Sequence, residues 1–103
     1  MQELSRAQLE DLVDQATVDC YDDDEALTGL YTMIADNLGT PFSTRVLGVD
    51  VTVESVELRG RYDIVAVCRR GTIRQSVPIL DLPLPDPPPS GTEWIEAYRH
   101  WAG

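Results

Sequence analysis

Residues 27–42 read LTGLYTMIADNLGTPF, and a change of pattern inside them decides the fold. Leu27, Leu30, Tyr31, Ile34 and Leu38 recur at the three-and-four spacing of a single helical face. Gly39 and Pro41 close that pattern: glycine tolerates the conformation that ends a helix, and proline cannot continue one. From Phe42 onward the period shortens. Val46 and Leu47 lead to a break at Gly48, after which Val49, Val51 and Val53 alternate with polar residues. Val56 and Leu58 resume the alternation one step out of phase, which predicts a bulge near Glu54-Ser55. Gly60 and Arg70-Gly71 mark turns, with strand-like runs at Ile64–Cys68 and Ile73–Ile79. Turns this close predict antiparallel pairing. The expected fold is α+β: helix packed on a small antiparallel SH3-like barrel of four or five strands over residues 42–80.

Working back from Leu27, the helical face continues. At about 100° per residue, Leu9, Leu12, Val13, Ala16 and Cys20 fall on the same side. Ser5, with Gln8 three places on, has the form of a capping box at the start. Residues 1–38 are therefore either one long helix or two in-phase helices meeting near Asp19–Asp22. Only Asp23 and Asp24 interrupt the stripe, within about 60° of its centre on that geometry. The expectation is that these two carboxylates point where the core should be.

Residues 81–91 hold five prolines and predict an extended connector. It reads either as a strap across the domain or as a ligand for an SH3 or WW domain. Thr92 is the expected cap of a final helix over residues 92–101, with Trp94, Ile95, Tyr98 and Trp101 on its apolar face. The whole of 1–103 is read as one domain.

Composition narrows the function classes. Apolar residues make up 43% of the 103 and charged residues 25%, as in globular chains. No apolar run is long enough to span a membrane, and the acidic start resembles neither a signal nor a transit peptide, so the expectation is a cytoplasmic protein. Eighteen acids face eight bases, all arginine, for a net charge of −10. Such a surface repels nucleic acid and anionic membranes and attracts cations or a basic protein partner. Cys20, Cys68 and the one histidine, His100, cannot assemble a zinc site of four soft ligands. The cysteines read as small hydrophobes, and His100 as a charge at a helix C-terminus. No P-loop, GxSxG, HExxH or Rossmann pattern occurs, and no nucleophile accompanies the carboxylates, so no enzymatic activity is expected.

The acidic run Asp19, Asp22, Asp23, Asp24 and Glu25 is the most unusual feature. Acids favour a helix N-terminus, which accounts for one or two of them. A solvated face suits Asp22 and Glu25. Buried carboxylates at Asp23 and Asp24 would need protons, arginine partners or a cation. The candidate arginines are Arg59, Arg61, Arg69 and Arg74. The candidate ion is a hard one, Ca²⁺ or Mg²⁺, because all the donors are oxygens. Ca²⁺ takes six to eight oxygens, so Glu57 or Asp63 near the Gly60 turn would have to add to the run. Neither register of the run places glycine and glutamate where an EF-hand needs them.

The stretch Val18-Asp19-Cys20-Tyr21-Asp22-Asp23-Asp24-Glu25, followed by Gly29, Tyr31, Leu38, Pro41 and Phe42, resembles the cyanobacterial calcium-binding protein family. Val77-Pro78-Ile79 and the closing Ile95, Tyr98 and Trp101 extend the resemblance over nearly the whole chain. The resemblance implies a small protein, not an EF-hand, that binds Ca²⁺ through acids of the Asp19–Asp24 stretch with Asp63 contributing, in calcium buffering or signalling. This chain carries Asp where family members often carry Glu, which shortens each arm. The expected function is reversible Ca²⁺ binding by Asp19, Asp22, Asp23, Asp24, Glu57 and Asp63. The alternative is an acidic SH3-like interaction module that docks a basic protein without metal.

Overall fold

The computed structural model describes residues 4–60 and 63–103. Two helices, α1 (Arg6–Ala16) and α2 (Asp23–Asn37), precede four strands, β1 (Phe42–Val46), β2 (Val49–Arg59), β3 (Asp63–Arg70) and β4 (Ile73–Pro78). A short 3₁₀ turn (Ile79–Asp81) and a final helix, α3 (Thr92–Ala102), complete the chain. The class is α+β, as expected.

Of the two readings of residues 1–38, two helices is the observed one. The expected capping box starts α1: the Gln8 amide donates to Ser5 Oγ, and the Ser5 amide donates to Gln8 Oε1. Thr17 ends it, and Asp19 adopts a left-handed conformation (φ 64°) that turns the chain into α2. Gly29 lets this turn sit close. A Cβ there would overlap the Ala16 carbonyl oxygen and lie 3.6 Å from Cys20 Sγ.

The strands form an open antiparallel meander in the order β1-β2-β3-β4. The predicted bulge is present, where the β2–β3 register shifts between Val53 and Ser55. The expected barrel does not close, because β1 and β4 are both edges. The proline-rich segment touches β1: Leu82 is buried in the core, and Thr44 Oγ1 of β1 donates to the Pro83 carbonyl. Proline lacks the N–H needed to extend a ladder, so this strap covers an edge without joining the sheet.

One core joins the layers. Leu30 and Ile34 of α2 are fully buried with Val53 of β2, Ile64 of β3 and Ile95 of α3. Each such side chain contributes about 1.5–3 kcal/mol of transfer free energy. Trp94 and Tyr98 of α3 are buried in the same cluster, and Trp101 packs against it. The start of α3 differs from expectation. Gly91 (φ 88°) occupies the cap position, and the Thr92 hydroxyl instead donates to the Pro89 carbonyl at 2.7 Å. Leu38, not Gly39, is the last cap of α2, and the Gly39 amide donates to the Ser90 carbonyl, tying α2 to the strap.

Candidate functional site

The acidic run occupies the corner between α1 and α2. Asp22 is the N-cap of α2: its Oδ1 accepts from the Glu25 amide at 2.8 Å. Glu25 reaches back, its Oε2 accepting from the Tyr21 amide at 2.9 Å. Asp23, Asp24 and Glu25 form the first turn of the helix, where their charge complements the positive end of the dipole. The capping account thus covers four of the five acids, more than composition suggested.

Asp23 and Asp24 are exposed, contrary to the expectation that they point into the core. Their azimuth lies on the stripe, four and three residues before Leu27. Depth along the axis is what differs. Helical side chains tilt toward the N-terminus, so those of a first turn project past the end of the helix rather than over the sheet. None of the expected arginine partners pairs with them among the described residues, and Arg59, exposed at the end of β2, forms no ion pair there at all. Arg69 and Arg74 both pair with Glu54, at 3.3 and 2.9 Å, and Arg61 lies outside the described residues. Among the described residues, no ion pair involves Asp19, Asp22, Asp23, Asp24 or Glu25.

The two strand candidates sit on different elements from the corner. Glu57 is exposed on β2, on the face opposite the buried Val56. Asp63 opens β3, and its charge is felt by Tyr98 of α3. The Tyr98 phenol is pushed above its ordinary value by burial first and by Asp63 second, while contact with the Ile64 backbone acts in the opposite direction. No three of the Asp, Glu, His and Cys side chains among the described residues are grouped so as to hold a metal ion.

The charges are segregated by layer. Ten of the eighteen acids and one of the eight arginines fall in residues 1–38, whereas six arginines and four acids fall in residues 39–80. The helical layer therefore carries the negative charge, and the strand region is net positive.

A second feature lies at the sheet end formed by the β1–β2 and β3–β4 turns. A hollow of about 240 Å³ opens between the β1–β2 and β3–β4 hairpin tips, walled by Val49, Val51, Ile73 and Val77. Leu47 at its rim is 97% exposed and sits in a left-handed conformation (φ 51°), with Gly48 (φ 76°) beside it. Two successive positive φ values make the tight hairpin turn that matches strand twist. Leucine is a costly residue there. Sequence reasoning missed this patch. The alternation marked Val49, Val51 and Val53 as one strand face, but not that Val49 at one end of it is left exposed while Val53 is buried.

Comparison with known proteins finds no matching family model, no matching characterised protein and no matching solved structure. No helix among the described residues is long and apolar enough to cross a membrane.

Proposed function

We propose that the α1–α2 corner binds Ca²⁺ reversibly through Asp19, Asp22, Asp23 and Asp24, with Glu25 beside them. One observation carries the reading: five carboxylates within seven residues stand at a turn with no ion-pair partner among the described residues. Capping consumes one oxygen each of Asp22 and Glu25. A carboxylate has about four lone-pair sites, so both retain acceptors for an ion. Oxygen donors on short flexible arms suit Ca²⁺, whose shell is irregular, better than Mg²⁺, which demands a near-ideal octahedron. Glu57 and Asp63 are left out of this set because they sit on other elements.

The carboxylates as placed do not form a ready cage. Gathering them opposes their mutual repulsion, which places the affinity on the order of 10⁻⁴ M, toward the weak end of known calcium sites. Within the same reading, the bent sheet with its strap is an SH3-like barrel left open on the strap side, a support that positions the corner. Calorimetric titration of chelator-stripped protein with CaCl₂ tests the site. Saturable heat that disappears in Asp23→Asn/Asp24→Asn supports the assignment, and unchanged affinity in that variant refutes it.

The segregation of charge favours a second reading, in which the acidic helical layer docks a basic protein segment. The two separate on salt. A chelated ion stabilises the fold by mass action at constant ionic strength, whereas a surface field is screened equally by NaCl.

A further inference from the structure

Five large apolar side chains are exposed among the described residues, and they form two patches of opposite charge. Val18 and Tyr21, the latter 89% exposed, lie in the acidic corner beside Asp19 and Asp22. Leu47, Val49 and Ile73 surround the hollow between the two hairpin tips, where the polar groups are Arg70 and Gln75. Arg70 pairs across the β3–β4 turn with Ile73 in register and forms no ion pair among the described residues, unlike Arg45, Arg69 and Arg74. The hollow is thus an apolar cup with one unneutralised cation on its rim. The corner is an aromatic projection flanked by unneutralised carboxylates.

We propose that copies of this chain associate head to tail, the Val18–Tyr21 corner of one copy seated in the sheet-end hollow of the next. Tyr21 brings a ring for the valine and isoleucine walls and a hydroxyl for Gln75. Asp19 or Asp22 meets Arg70, a charge-assisted contact that neither patch can make within its own copy. The left-handed Leu47 fits this role: a bulky residue held in a costly conformation with its side chain wholly in solvent has no packing return inside its own chain. The contact joins two different patches, so it is heterologous and needs no two-fold axis. It goes beyond the calcium reading, and because Asp19 and Asp22 would serve either the ion or Arg70, the association is tested with the ion removed.

The test is sedimentation velocity in EDTA at about 0.15 M NaCl, where charges further apart than about 8 Å are screened. Wild-type protein should show a weight-average mass that climbs with concentration. Val18→Ser/Tyr21→Ser removes the projection, and Leu47→Asp/Ile73→Asp removes the cup; each should remain monomeric alone. Mixed together they should form a one-to-one complex, since the first retains its cup and the second its projection. All four positions are solvent-facing, and circular dichroism confirms that each variant is folded. Arg70→Gln, which keeps the aliphatic stem, should weaken wild-type association several-fold and serves if the Asp variant misfolds. A monomer at every concentration overturns the proposal. So does a mixture that fails to associate, or a projection variant that still self-associates, which is what a symmetric dimer through the hollow would give.

Discussion

Gly29→Ala in α2 sets two known effects against each other. In the interior of an ordinary helix this change stabilises by about 0.8–1.0 kcal/mol, because alanine loses less backbone entropy. Here the new Cβ would overlap the Ala16 carbonyl oxygen and lie 3.2 Å from the carbonyl carbon. Those atoms are backbone at the end of α1, so no rotamer change relieves the overlap. Forcing a group into packed structure costs about 1–3 kcal/mol, and rigid neighbours place this site at the upper end. The net expectation is a loss of about 1–2 kcal/mol. In a domain of this size each kcal/mol moves Tm by about 4–8 °C, so the fall is readily measured. The assay is urea denaturation followed by circular dichroism, with Thr28→Ala, on the exposed side of the same helix, as the control. The midpoint should drop for Gly29→Ala with an unchanged m value. A Gly29→Ala protein more stable than wild type would refute the reasoning, because helix propensity would then be acting without the α1–α2 contact.

Three further outcomes follow from other parts of the fold. Leu47→Asn should raise stability by about 1 kcal/mol in the same urea assay, since asparagine tolerates the left-handed conformation and the exposed leucine gives up no packing. Asp22→Ala should lower stability by about 1 kcal/mol through loss of the α2 cap, while Asp22→Asn should retain most of it. The buried Tyr98 phenol, raised above its ordinary value of 10.0 by burial and then by Asp63, binds its proton more tightly in the folded state. Its contribution is therefore fully present below about pH 10 and is lost as pH climbs through the higher folded value. Tyr98→Phe should flatten that alkaline limb of a stability–pH profile.

What could be read in advance was whatever rests on local chemistry. The Ser5–Gln8 box, the bulge after Val53 and the turns at Gly48 and Gly71 each depend on a few neighbouring residues, and each is where the pattern placed it. Misreadings arose where a local signal was asked about distance. Periodicity gives the azimuth of Asp23 and Asp24 but not their depth along the axis, and the first turn of α2 lies beyond the core. Barrel closure needs β1 and β4 to meet across the whole strand region, and no short pattern encodes that. The prolines of the strap determine instead that the chain beside β1 cannot add a ladder. In the candidate site, the cluster of acids at one turn was legible from spacing alone. The placement of Glu57 and Asp63 relative to it was not, because it depends on how β2 and β3 pack against the helices.

Ca²⁺ binding by the corner carboxylates is read by isothermal titration of chelator-stripped protein with CaCl₂, with MgCl₂ titrated in parallel. The prediction is a saturable Ca²⁺ isotherm with Kd on the order of 10⁻⁴ M and much weaker Mg²⁺ binding. No saturable heat at Ca²⁺ concentrations well above that value, or equal heats from the two ions, would contradict it.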